Sequence, residues 1–214
     1  MTDIEHALRR AGHHRDRAAG AAEAFVERAG REGLIDLAFA TLDAPVGKVL
    51  VAGTRRGLVR VAFGTFPHEK VLQELAEDIS PRLLEAPARL DEVRRQLDEY
   101  FEGRRTRFEL PLDWSLTHGF GRRVLTHTAR IPYGGVSTYK EVAAAAGSPR
   151  AARAAGNALG ANPIPIVVPC HRVLHAGGGL GGYGGGLDRK ALLLKLEGVT
   201  GKWDLGVSEA PPGR

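Results

Sequence analysis

The apolar pattern becomes β-like from Asp36 and mainly helical from about Leu116, and that division limits the fold more than any other feature. Between Asp36 and Phe63 the apolar residues come in short runs, Leu37 to Leu42, Lys48 to Ala52 and Leu58 to Phe63. Ala44-Pro45-Val46-Gly47 and Gly53-Thr54-Arg55-Arg56-Gly57 separate them, so the segment predicts an antiparallel meander. Helical patterns follow at 68–79 and 88–101, the second placing Leu90, Val93, Leu97, Tyr100 and Phe101 on one stripe. Phe108 to Leu112 closes the unit. Residues 35–113 therefore predict a small N-terminal α/β domain, and 1–34, charged and Ala-rich, a helical extension.

Beyond Leu116 the pattern is mainly helical. Phe120 to Ile131 predicts a helix stopped by Pro132-Tyr133-Gly134-Gly135. Thr138 and Glu141 have the spacing of a capping box before a short helix ending at Gly147, and Ser148-Pro149 offers an N-cap and a first-turn proline for a second helix reaching Gly160. Two short helices joined at a glycine form a helix-turn-helix pattern. The second, Arg150 to Ala158, is almost all small residues punctuated by Arg150 and Arg153, which suits close approach to another surface; tight packing within the core is the plain alternative. The overall expectation is an α+β protein: the N-terminal sheet domain, a mainly helical domain over 114–200, and a tail over 201–214.

The charge is distributed unevenly. Residues 1–118 carry 18 Lys and Arg against 20 Asp and Glu, a net of −2, whereas residues 119–163 carry six cations against Glu141 alone, a net of +5. A local basic block of this kind points to a polyanion such as nucleic acid. No apolar run is long enough for a membrane span, and the start lacks the order of a secretory signal, so a cytoplasmic, reducing location is expected. His13-His14, set among polar residues, is read as plain surface.

Cys170 is the chain's single cysteine. It excludes an intramolecular disulfide and any multi-thiolate zinc site, leaving burial or reactivity; no metal and no cofactor are expected. An ordinary thiol is only a few per cent ionised near neutrality, so a nucleophilic Cys170 needs a neighbouring base or positive field. His171 is the nearest candidate, although in an extended segment it would face the opposite side unless the backbone turns. Asp188 reads as the N-cap of a helix ending near Gly198. Glu197 lies three and four residues after Leu194 and Leu193, on their apolar face at the helix C-terminus, where an anion wants a partner. The plain alternative is a glutamate fraying into solvent. Gly177 to Gly186 contains a formal GxGxxG with no long βαβ unit around it, so it reads as a loop that closes through Tyr183 and backbone N–H groups over a flat ligand, or as a flexible linker.

These pieces occur together in one known family. Tyr133-Gly134, Ser137-Thr138-Tyr139, Ala151-Ala152-Arg153-Ala154, Asn162 through Val173 with its Pro169-Cys170-His171-Arg172 core, Gly182-Tyr183-Gly184-Gly185-Gly186-Leu187 and Leu196-Glu197-Gly198 closely resemble the O6-alkylguanine-DNA alkyltransferases. These are also called methylated-DNA–protein-cysteine methyltransferases. The resemblance is collinear over roughly 116–198.

It implies a DNA repair protein that extrudes O6-alkylguanine, and O4-alkylthymine, from duplex DNA and passes the alkyl group to Cys170 once. Arg153 would enter from the minor groove and fill the space of the flipped base, with Arg150, Ser148, Ala151 and Ala154 along the DNA. Tyr139 would help rotate the nucleotide and donate to guanine N3. The carbonyls of Cys170 and Val173 would accept from the exocyclic amine, the Gly184 N–H would face O6, and Tyr183 and Lys190 would complete the pocket. Asn162 would brace the turn, while Glu197, His171 and a water would take the thiol proton. The partner implied is double-stranded DNA, bound by a monomer, with no membrane.

The sequence also departs from the family pattern. A Gln near Gly121 and a Trp near Leu125 are missing, as are the zinc-binding cysteines of some relatives, and Gly184 replaces a Ser found in others, which would widen the pocket. Three rival readings are a lesion-binding protein of the same fold without transfer, a Cys-His hydrolase, and a DNA-binding regulator in which Cys170 merely packs.

Overall fold

The computed structural model describes residues 20–21, 24–65 and 67–201. His13-His14, most of the N-terminal extension and nearly all of the tail lie outside these residues; what is described of the extension includes a helix, α1, over residues 24–31.

The meander forms as its apolar runs predict. Strands β1 (Leu37–Ala44), β2 (Gly47–Thr54) and β3 (Gly57–Phe63) pair antiparallel through two-residue turns. Gly57, at φ 133°, has to be glycine, because a Cβ there would run into the Pro111 carbonyl. The sheet is nevertheless not purely antiparallel. A fourth strand, β4 (Leu83–Glu85), adds to β1 in parallel, giving the order β3-β2-β1-β4. Three residues are too few to display an alternating pattern, so nothing in the sequence marked it.

Alternation along the strands sends side chains to two different cores. Leu37, Leu50, Ala52, Val59 and Ala62 bury against Val71 and Leu75 of α2 (His68–Asp78). On the opposite face Ala38, Ala40, Val49, Val51, Val61 and Phe63 join α3 (Asp91–Phe101) and the whole C-terminal half in one continuous core. Each fully buried Val, Leu or Ile contributes about 1.5–3 kcal/mol. The sheet is thus a wall shared with the helical half.

The C-terminal half runs α4 (Gly119–Thr128), β5 (Ser137–Thr138), α5 (Tyr139–Ala145), α6 (Ala152–Gly160), a 3-10 turn (Cys170–Arg172), β6 (Val173–Leu174) and α7 (Leu187–Leu196). The capping box at α5 is present: Glu141 N donates to Thr138 Oγ1 at 3.2 Å, and Thr138 N to Glu141 Oε2 at 2.8 Å. Two boundaries differ from expectation. Ser148-Pro149 does not cap α6; Ser148 opens a turn closed by Ala151 N on its carbonyl at 2.9 Å, and the helix starts at Ala152 with no side-chain cap. Asp188 is not the N-cap of α7 either, since Gly186 at φ 90° holds that position and Asp188 sits in the first turn. Both are local choices that the following backbone geometry decided. Among the described residues no helix is long and apolar enough to cross a membrane.

Candidate active site

The segment before the cysteine is braced by one side chain. Asn162 donates through Nδ2 to the Val168 carbonyl at 2.8 Å and to Cys170 Sγ at 3.1 Å, while its Oδ1 accepts from Ile164 N at 3.0 Å. Between these anchors Ile166 holds φ 74°, a conformation that a β-branched residue adopts only under constraint. The segment is fixed where strain has to be held.

The backbone does turn at the cysteine, over Cys170–Arg172. The 3-10 geometry of Cys170–Arg172 separates successive side chains by roughly a third of a turn, so His171 and Arg172 both reach Glu197 behind the cysteine. Glu197 is buried rather than frayed, and its carboxylate is saturated. Oε1 accepts from Tyr100 Oη at 2.7 Å, His171 Nε2 at 2.9 Å and Arg172 Nη2 at 2.8 Å; Oε2 accepts from Arg172 Nε at 2.8 Å and Gly134 N at 3.4 Å. Although burial opposes its charge, the bonds from His171 and Arg172 hold its pKa down to about 2. With Glu197 ionised, His171 Nε2 carries the proton it donates, and Nδ1 is the basic nitrogen. That Nδ1 is buried and has no hydrogen-bond partner among the described residues.

Burial pushes the His171 pKa below its ordinary value, so the imidazole is neutral at physiological pH. The thiol is displaced in the other direction. Burial raises Cys170 to about 11, against the opposing pull of the Asn162 amide and the Lys190 charge. In the resting protein the thiol and the imidazole are therefore both neutral.

Two recesses share Gly160, Tyr183 and Gly184 in their walls, and the smaller one reaches the cysteine. The inner one, about 130 Å3, is lined by Cys170, Asn162, Pro165 and residues of β3. An outer one, about 490 Å3, opens between α6 and the glycine loop, with Tyr139, Arg153, Gly156 and His175 on its sides. A further recess of about 380 Å3 between β2 and α3 has no cysteine, histidine or lysine in its lining.

The glycine loop is held mainly through its carbonyls. Lys190 Nζ, fully buried, donates to Val173 O at 2.7 Å, to Leu180 O and to Gly182 O at 3.5 Å, and burial lowers its pKa to about 8. Tyr139 Oη meets Gly182 O at 3.4 Å, and Gly181 must be glycine, at φ 69°, because a Cβ would strike that hydroxyl. The Tyr183 hydroxyl is buried with no hydrogen-bond partner among the described residues. Gly184 lies near the Gly160 carbonyl, which a Cβ at position 184 would approach to 3.2 Å.

On α6, Arg153 and Ala154 are exposed while Ala155 and Leu159 face the core. Arg150, in the preceding turn, is exposed, and Ser148 and Ala151 are partly so. Among the described residues Arg122, Arg130, Lys140, Arg150 and Arg153 make no ion pair.

The chain is similar to known proteins over most of its length. Residues 119–199 match the model of the 6-O-methylguanine DNA methyltransferase DNA-binding domain, and residues 37–114 that family's ribonuclease-like domain. The methylated-DNA–protein-cysteine methyltransferase of Mycolicibacterium paratuberculosis is 42% identical over 159 residues, covering 74% of this chain and 91% of that protein. The chain belongs to the methylated-DNA–protein-cysteine methyltransferase family. The Methanosarcina barkeri methyltransferase is 40% identical, over 73% of this chain and 94% of its own. The crystal structure of Mycobacterium tuberculosis OGT in complex with DNA superposes with a TM-score of 0.63 at 39% identity, covering 75% of this chain and 92% of that one.

Two methyltransferase residues escaped the sequence reading. Arg172 stood inside the Pro-Cys-His-Arg block without a role, although an arginine next to a buried histidine and a carboxylate in need of a cation could have been paired. Tyr100 was assigned only to an apolar stripe. Its hydroxyl bonds a residue 97 positions away, and no local pattern announces that.

Proposed function

We propose that Cys170 is the alkyl acceptor of a single-use repair reaction on O6-alkylguanine, and on O4-alkylthymine, in double-stranded DNA. The reaction class is that of the family: DNA repair by transfer of an alkyl group to a protein cysteine. The observation that carries the assignment is the arrangement around Cys170. Its thiol lines a recess, is held by Asn162, and is followed in the same turn by an imidazole whose far nitrogen is fixed on an ionised carboxylate.

Chemistry follows from the protonation states. Glu197 is saturated and stays ionised, so it fixes the tautomer, and His171 Nδ1 accepts the Cys170 proton through a water. The thiolate attacks the alkyl carbon; the S–C bond forms, the C–O6 bond breaks, and the released guanine gains a proton that balances the one lost by the thiol. Tyr139 donates to guanine N3, and the Gly184 N–H faces O6. The carbonyls of Cys170 and Val173 take the exocyclic amine, Val173 doing so beside its bond from Lys190. Because the product is a thioether, water does not release it and each molecule acts once.

A base inside a duplex cannot reach a buried thiol, so the nucleotide has to be flipped. Arg153, exposed at the mouth of the outer recess, fills the vacated stack from the minor groove, and the small residues of α6, with Ala151, Ala154, Arg150 and Ser148, let the backbone approach. The protein acts as a monomer in the cytoplasm, where a free thiol persists. The division of labour we assign is residues 35–113 as supporting domain and 114–200 as DNA-binding and acceptor domain.

Incubation with duplex DNA labelled on the O6-methyl group tests this. One label per protein, on Cys170, without turnover is expected, and Cys170→Ala should keep DNA binding and lose all transfer. Multiple turnover, or binding without transfer, would favour a hydrolase or a lesion-binding protein instead.

A further inference from the structure

We infer that the N-terminal half supplies the wall of the acceptor pocket that limits alkyl size, and that Phe63 of β3 is the residue that sets the limit. The inference rests on Cys170 being the acceptor. Strand β3 lies at the edge of its sheet, and its exposed backbone is used against the active-site segment: Val61 N donates to the Pro163 carbonyl at 2.8 Å, next to Asn162. Docked this way, β3 lines the inner recess opposite Cys170, Asn162 and Pro165.

Phe63 is 3% exposed and packs against two groups that belong to the glycine loop and its helix. One is Tyr183, with ring centroids 6.0 Å apart; the other is the Arg189 guanidinium, 5.3 Å from the Phe63 ring centre. Arg189 in turn donates to Val46 O at 2.7 Å and Gly185 O at 2.8 Å, stapling the β1–β2 turn to the loop. Gly185 passes so close that a Cβ there would lie 2.6 Å from Phe63 Cε2 and 2.8 Å from Tyr183 Cε1. Phe63, Tyr183 and Gly185 therefore behave as one packed unit, and a bulkier alkyl group has to displace it. The ring of Phe63 is also the size of the group by which a benzyl adduct exceeds a methyl one. Removing that ring opens the space the larger adduct needs.

The test compares transfer rates from O6-methylguanine and O6-benzylguanine in the same duplex oligonucleotide. The benzyl-to-methyl ratio should rise about 10-fold in Phe63→Ala, rise less in Phe63→Leu and fall in Phe63→Trp, the range expected for a pocket changed by one apolar group. A constant ratio, with both rates falling together across Leu and Trp, would show that Phe63 only supports the fold and would overturn the inference. Because the smaller changes preserve an apolar side chain, they decide the matter even if Phe63→Ala fails to fold. Mass analysis of the labelled protein separates the two levels: label on a residue other than Cys170 defeats the acceptor assignment, whereas label on Cys170 at a constant ratio defeats only the role of Phe63.

Discussion

In the N-terminal half, arginines and carboxylates meet on the surface. Arg82 pairs with Asp36, Arg94 with Asp91, and Arg95 with Glu92 and Glu99, mostly with water around them. In the C-terminal half the pattern is inverted: Glu197, Arg172, His171 and Lys190 are buried among their partners, while Arg150 and Arg153 are exposed and make no ion pair among the described residues. Surface pairs contribute little because water screens them, whereas a buried ion left without its partner is costly. The first half thus sets opposite charges against one another on its surface. The second buries charge in a mutually paired set behind the cysteine, and leaves cations on its surface without carboxylate partners among the described residues.

The contrast is open to direct attack. The largest effect should come from Arg172→Ala, which leaves Glu197 buried with fewer donors and destabilises the fold by about 3–5 kcal/mol in urea unfolding. Arg28→Ala, which breaks the exposed pair with Glu32, should leave the unfolding midpoint unchanged. Similar costs for the two would erase the distinction between the halves.

Arg153→Ala should slow repair of duplex DNA by about 100-fold, the order expected when a positioning group is lost, and barely alter the reaction with free O6-benzylguanine. Only the duplex has a vacated stack to fill. Equal losses on both substrates would remove Arg153 from the flipping step. Affinity of the wild-type protein for duplex should also weaken as salt rises.

A third expectation concerns pH. His171 must be neutral for Nδ1 to accept a proton, and burial holds its pKa below the ordinary value of about 6.5. The acid limb of the transfer rate should therefore lie below pH 6.5. Stability follows Glu197: its contribution is present above the unfolded value near 4.5 and is lost as pH falls through the folded value of about 2. Thermal unfolding midpoints should drop steeply between those limits, and less steeply in Glu197→Gln.

The smallest effect joins the two halves. Tyr100→Phe keeps the ring against Phe108 and Tyr133 but removes one donor from Glu197, costing about 1.5 kcal/mol because two donors to Oε1 remain. Transfer should slow by about 10-fold with the substrate affinity unchanged, an effect to be measured by single-turnover kinetics. An unaltered rate would mean that the N-terminal half supports the relay by packing alone.

What sequence revealed was what neighbours within a few residues encode. The runs of β1 to β3, the capping box at Thr138 and Glu141, the small-residue helix with Arg153 and the Asn162-to-Val173 block were all legible, because periodicity, caps and turn residues act over one or two turns of chain. Strand β4 was not, being too short to carry a period, and the start of α6 was misplaced because Ser148 closes a turn before the helix begins. Only the tertiary structure decided that Tyr100 reaches Glu197 and that Phe63 walls the pocket of Cys170. It also decided that burial raises the thiol to about 11 while bonds from His171 and Arg172 lower the carboxylate to about 2. Those outcomes depend on what surrounds a group in space, and a side chain's solvent, partners and field are fixed only when distant segments pack.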